Sequence, residues 1–135
     1  MPQVSVLTSP TAVGSTASPP FLCTWQMGGS GAAWVHVAGE LDLATSPQLG
    51  ETLAEAQLAA RLVVLDLREL TSIDISGVRS ILDAAHGARR YGGRLMLVRG
   101  PAEVDRELAL SGACDQMLIF DLDPTEPART LQDVA

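Results

Sequence analysis

The richest local chemistry lies in Ile73-Asp74-Ile75-Ser76-Gly77-Val78, where a carboxylate and a hydroxyl flank an apolar residue ahead of a glycine. Nucleophilic catalysis by Ser76 would need a base beside it, and Asp74 with Ser76 supplies no evident one. The simpler chemistry is backbone capping. Ser76 can satisfy orphan N–H groups at a helix start, and Asp74 can accept from the N–H of Ser76 or Gly77. Gly77, lacking a Cβ, suits a close approach of the helix to a partner backbone. Arg79 falls on the exposed side of the expected helix, either as a solvated charge or as a contact for an acidic partner. Two thiols, Cys23 and Cys114, are too few for a disulfide framework and lack metal-ligand spacing. Cys23 falls on the apolar side of an alternating segment and reads as a buried, inert thiol. A redox-controlled Cys23–Cys114 pair is the reactive alternative. His36 and His86 have no cysteine or carboxylate at ligand spacing, so no metal site is expected. The glycine-rich Gly28-Gly29-Ser30-Gly31 precedes a strand, the wrong context for phosphate, and no Walker or dinucleotide fingerprint occurs. No cofactor is expected.

These residues sit in a chain of 135 residues, near the usual size of one domain. Hydrophobic residues make up 47% and charged residues 19%, which excludes a wholly disordered, highly charged polypeptide. A net charge of -7 argues against phosphate-mediated nucleic-acid binding and against an anionic membrane surface. Apolar runs are only a few residues long, so no bilayer span is expected. Residues 1–20 are small, polar and proline-punctuated, and read as a flexible arm. They lack the basic and apolar regions of a signal peptide, and with the cysteine usage this places the protein in the cytoplasm.

The elements that must position the Asp74 segment follow from hydrophobic period. Phe21, Cys23, Trp25 and Met27 alternate with Leu22, Thr24 and Gln26, giving a half-buried strand. Ala33 to Leu41 is a second strand, antiparallel to the first. Thr45-Ser46-Pro47-Gln48 reads as a capping box opening a helix with Leu49, Leu53, Ala56 and Ala60 on one stripe. Leu62 to Leu67 is a nearly unbroken apolar run, suited to a central strand covered on both faces. A loop from Arg68 to Asp74 then leads to a helix over 76–90, with Val78, Ile81, Leu82 and Ala85 inward. Gly92-Gly93 stops it. Arg94 to Arg99 is a strand, Val104 and Leu108 mark a third helix, and Met117 to Phe120 is the last strand. Alternating β and α implies parallel strands with crossover helices. The fold class is therefore α/β: a single domain over 21–122, a mixed sheet with an initial antiparallel hairpin, and helices packed on it. Residues 123–135 form a tail or short helix.

Three segments in order resemble the STAS domain of bacterial anti-sigma factor antagonists. They are Gly39-Glu40-Leu41-Asp42 with Thr45, then Leu65-Asp66-Leu67 through Ile73-Asp74-Ile75-Ser76-Gly77-Val78, then Leu108 with Ser111-Gly112 before Met117 to Phe120. The resemblance covers about Trp25 to Asp121. It implies a non-catalytic regulator that binds an anti-sigma factor acting as a GHKL-type serine kinase, and so frees a sigma factor to activate transcription. It also implies control by phosphorylation at the start of the helix after the third strand, reset by a serine phosphatase. The partner surface it implies is Asp42, Asp74, Ile75, Ser76, Gly77, Val78 and Arg79.

The chain departs from the family pattern at one position. Where the family carries the phosphoacceptor hydroxyl, this chain has Ile75. Control by phosphate is then absent, or moved to Ser76, which otherwise remains a cap. A helix start tolerates phosphate well, and the added charge would repel a carboxylate on a partner. Ile75 itself is either tucked under the loop or an exposed apolar contact insensitive to the kinase. The rival readings are a STAS subunit of an ABC lipid-transport complex or stress-signalling scaffold and, less favoured, a small α/β enzyme.

Overall fold

A computed structural model describes residues 20–28, 31–113 and 117–120. Residues 1–19, which are all of the expected arm but Pro20, residues 121–135, which include the whole of the expected tail over 123–135, and Cys114 lie outside the described residues.

The alternating first segment forms β1 (Leu22–Met27), which returns antiparallel into β2 (Ala33–Leu41), with Trp25 opposite Val35. Then follow α1 (Ser46–Ala59), β3 (Leu62–Ile73), α2 (Ile75–Arg90), β4 (Arg94–Val98), α3 (Ala102–Leu110) and β5 (Leu118–Phe120). The five strands lie in sequence order, and β2 through β5 are mutually parallel. This is the α/β fold that the periodicities imply.

One strand exceeds its expected length. β3 does not end at Leu67. It continues through Arg68 to Ile73, so the expected loop over Arg68 to Asp74 is strand, and only Asp74 separates it from α2. The extension pairs with the far half of β2, Ala38 with Glu69 and Leu41 with Ile73, across two register irregularities near Ala38 and Gly39. Gly39 is needed there. Its φ is +96°, and a Cβ would meet the Phe21 Cα and Pro20 carbonyl at 3.0 Å. Two irregularities broke the simple period that sequence reading follows.

All three helices contribute to one apolar cluster. Leu49, Leu53 and Ala56 of α1, Val78, Ile81 and Ala85 of α2, and Val104 and Leu108 of α3 pack on Val35, Val63, Leu65, Leu67, Leu95 and Leu97. The helices therefore share one face of the sheet. The opposite face carries a smaller cluster of strand residues alone, Trp34, Val64 and Val98 with Leu62 and Phe120. The central run of β3 is buried on both sides, as its unbroken apolarity implies. No described helix covers the second side.

Parallel strands with helices between them place every β-to-α turn at one end of the sheet. The turns after β2 and β3 meet there.

Candidate functional site

The turn after β2 is built by Asp42. Its Oδ1 accepts the N–H groups of Ala44 at 3.0 Å and Thr45 at 3.1 Å, the Asx-turn geometry. The Asp42 N–H donates to Thr45 Oγ1 at 2.9 Å, and that hydroxyl donates to the Glu40 carbonyl at 2.9 Å. Ser46 Oγ donates to the Asp42 carbonyl at 2.6 Å. The expected capping box is therefore not formed. Thr45 holds the N-cap position of α1 without a side-chain cap bond, because its hydroxyl is engaged behind it. The knot throws Leu43 outward, 75% exposed.

The turn after β3 is shorter. Asp74 is extended, with φ -112° and ψ -176°, and its Oδ1 accepts the Gly77 N–H at 3.1 Å. Asp74 is thus the N-cap of α2, and the capping role considered for Ser76 goes to Asp74 instead. Its own N–H donates to the Leu41 carbonyl at 3.1 Å, which ties the two turns together. Ile75, Ser76 and Gly77 are the first three residues of α2.

Burial sorts the residues implied for the partner surface. Ile75 is 60% exposed, which removes the tucked alternative. Asp42, Asp74 and Ser76 are half-buried and Arg79 is exposed. Val78 is 1% exposed and belongs to the core, so it is not surface, because the helix stripe that carries Ile81 and Ala85 carries it inward. Gly77 is also buried. A Cβ on it would lie 2.6 Å from Leu41 Cγ and 2.8 Å from Ile73 Cγ1. Its close approach is to the ends of β2 and β3, not to a partner backbone.

Together the two turns shape a groove of about 400 Å³ between the starts of α1 and α2, lined by Leu43, Pro47, Ile75, Ser76, Arg79 and Asp83. Leu43 and Ile75 supply apolar prongs, Arg79 and Asp83 opposite charges, and Ser76 a hydroxyl. Such a surface can seat an amphipathic segment of another chain. Leu43 escaped sequence reading, although a leucine between the turn residues Asp42 and Thr45 has no core to face. Cys23 packs partly buried against the helix-side core, where burial pushes its thiol up despite a hydrogen bond with Thr52. It fits the inert reading. The Cys23–Cys114 pair involves a residue outside the described ones.

A second polar group lies on the helix-free face. His36 of β2 pairs across the strands with Asp66 of β3, and its Nδ1 stands 3.6 Å from Asp66 Oδ2. Sequence spacing had given His36 no carboxylate; parallel pairing supplies one 30 positions away. Arg68 donates from Nε at 3.0 Å, Nη2 at 2.8 Å and its backbone N–H at 3.1 Å. Burial alone would raise the Asp66 carboxyl, but His36 and Arg68 together outweigh it and hold it well below the usual range. The signal in sequence was a lone aspartate inside an apolar run. With Arg68 forked onto its carboxylate, the group braces the sheet. Among the described residues no cluster of three metal-ligating side chains occurs, and no helix is long and apolar enough to cross a membrane.

Comparison with known proteins bears on this geometry. The family model described as "Mlab, STAS domain" matches residues 26–119. Osmosensory protein A of Mycobacterium tuberculosis is 33% identical over 82 residues, which are 61% of this chain and 50% of that protein. The chain thus spans about half the length of this curated relative. Among solved structures, an anti-sigma factor antagonist from Mycobacterium paratuberculosis superimposes with a TM-score of 0.70 at 18% identity, over 85% of this chain and 94% of that one. The anti-sigma factor antagonist SpoIIAA in its unphosphorylated form gives 0.68 at 19% identity, over 84% and 99%. At these identities the likeness is one of fold.

Proposed function

The chain belongs to the STAS domain family, and from that premise we propose that it is an anti-sigma factor antagonist. It binds an anti-sigma factor through the groove between the Asp42 and Asp74 turns, and so releases a sigma factor to activate transcription. The observation that carries this reading is the pair of exposed apolar side chains, Leu43 at 75% and Ile75 at 60%, held on two turns that the Asp74 N–H to Leu41 carbonyl bond locks together. Two apolar prongs fixed on rigid turns lose little entropy on docking, which suits them to a contact with another chain.

The mechanism needs no catalysis by this chain. Its partner is an anti-sigma factor of the GHKL serine-kinase type in the cytoplasm. A phosphate at the second residue of α2 would face N–H groups and the positive end of the helix, so Ser76 can carry one without unfolding the turn. Ile75, one residue earlier, cannot accept phosphate. Phospho-control, with its phosphatase, therefore either acts on Ser76 or is missing, and without it the antagonist binds constitutively.

The test is capture of partners from the native cytosol by wild type, Leu43→Asp and Ile75→Asp. Both substitutions lie on exposed side chains and leave the core alone. The expected result is a GHKL-type ATPase retained by wild type and lost from both variants. Equal retention by all three, or retention of a transporter ATPase in its place, overturns the proposal. Intact mass after incubation with the captured kinase and ATP then decides Ser76, since a mass gain abolished by Ser76→Ala places the phosphate there.

A further inference from the structure

We propose that the end of the sheet opposite the Asp42 and Asp74 turns is a second docking site, which takes an acidic segment of another protein carrying one apolar side chain. The chain has 16 acidic residues against nine basic ones, and all nine are arginine. Positive charge is nevertheless gathered at this end. Arg61 immediately precedes β3, Arg89 and Arg90 close α2, and Arg94 opens β4. Residues 56–65 and 84–102 contain no Asp or Glu. The described turns here, at 60–61, 91–93 and 111–113, contain none either. Arg61, Arg90 and Arg94 are exposed, and none of them makes an ion pair among the described residues. Elsewhere Arg68 grips Asp66 and Arg99 pairs with Asp105.

The fold forces two of these cations together. The Arg94 N–H donates to the Arg61 carbonyl at 2.8 Å. A Cβ on Gly93 would lie 2.5 Å from that same oxygen, so only a glycine lets the turn after α2 close onto Arg61. Like charges on neighbouring strands cost stability, and an incoming carboxylate relieves that cost.

Beside the pair lies a groove of about 410 Å³ on the helix-free face, lined by Arg61, Arg94, Leu62, Met96, Leu118 and Phe120. Leu118 is 47% exposed. A free inorganic anion would use the arginines and leave this apolar wall in water. A nucleic-acid duplex or an anionic bilayer would lay an extended negative surface against a chain of net charge -7, and a second copy would bring that same charge. A peptide enters the groove alone. It sets carboxylates in the guanidinium forks and buries its apolar side chain against Leu62, Leu118 and Phe120. The groove lies at the starts of β3 and β4, whereas the Asp42 and Asp74 turns follow the ends of β2 and β3, so both sites can be filled at once.

The test is fluorescence polarisation of a labelled glutamate-rich peptide with one central phenylalanine, titrated with the full chain at low salt. The expected result is saturable binding, several-fold weaker with Arg61→Glu or Arg94→Glu and lost with both. Arg106→Glu on α3 changes the net charge by the same amount and leaves binding intact. Exchanging the phenylalanine of the peptide for serine weakens binding several-fold. Circular dichroism confirms that each variant is folded. Lack of saturable binding, unchanged affinity with both Arg61→Glu and Arg94→Glu, equal weakening by Arg106→Glu, or equal affinity for the serine peptide overturns the proposal. So does displacement of the peptide by inorganic phosphate, a DNA duplex or phosphatidylglycerol vesicles at matched ionic strength, or a wild-type dimer in sedimentation that Arg94→Glu breaks apart.

Discussion

Three glycines in helices give a test in which the same substitution should change sign. Gly50 in α1 and Gly87 in α2 have nothing within 4 Å of where a Cβ would stand. Alanine at either position gains helix propensity and should stabilise by about 0.5–1 kcal/mol. Gly77 carries the same propensity gain, but its Cβ would sit 2.6 Å from Leu41 Cγ and 2.8 Å from both Leu41 Cδ2 and Ile73 Cγ1. Real Cβ contacts are not that short, so something must move. Leu41 is 0% exposed and Ile73 is 7% exposed, which leaves neither free to swing aside. Overpacking of this kind costs about 1–3 kcal/mol. Set against the propensity gain, that leaves Gly77→Ala between about neutral and a loss of about 2.5 kcal/mol, and contacts as short as 2.6 Å with buried side chains put it toward the loss. Urea titration followed by circular dichroism measures all three, with an unchanged slope confirming that only stability moved. In thermal melts the difference between Gly77→Ala and Gly87→Ala should be several degrees. Gly77→Ala should also weaken partner capture, since the helix start must shift and Ile75 rides on it. If Gly77→Ala stabilises as the other two do, the close approach of α2 to the strand ends is wrong, and with it the rigidity assigned to the two turns.

Four further outcomes are expected. Asp74→Ala removes the cap on Gly77 and should cost about 1 kcal/mol in denaturant titration, with reduced partner retention even where the protein remains folded. Asp66→Asn should cost about 2 kcal/mol at pH 7, because it takes the charge from a carboxylate that Arg68 grips. The sign of its pH dependence follows from the depressed carboxyl. The stabilisation is whole above the ordinary aspartate value of about 3.9 and is lost as pH falls below it, so the acid limb of the wild-type stability curve should flatten in Asp66→Asn. Cys23, with its thiol pushed up by burial, should react with iodoacetamide at pH 7 far more slowly than the unfolded chain does, as mass spectrometry of the modified peptide would show.

The sequence alone carried the fold. Alternation in β1, the apolar run of β3 and the stripes through Val78, Ile81 and Ala85 record which side of each element meets the core, and burial is a local property of a periodic chain. The family followed from the same residues, because the Gly39-Glu40-Leu41-Asp42 and Asp74-Ile75-Ser76-Gly77 segments are contiguous. Asp74 as a helix cap was also legible, since a cap reaches only three residues along the chain. The length of β3 was not, because its polar second half is held by pairing with β2 across a broken register. Nor was the destination of Thr45, whose hydroxyl was claimed by Asp42 and Glu40 before it could cap α1. Tertiary structure alone decided that Gly77 and Val78 face inward, that Leu43 and Ile75 stand out on joined turns, and that His36 meets Asp66. In each case the deciding partner lies on another element, and a distance of a few ångströms between residues 30 positions apart leaves no periodic trace in the chain that makes it.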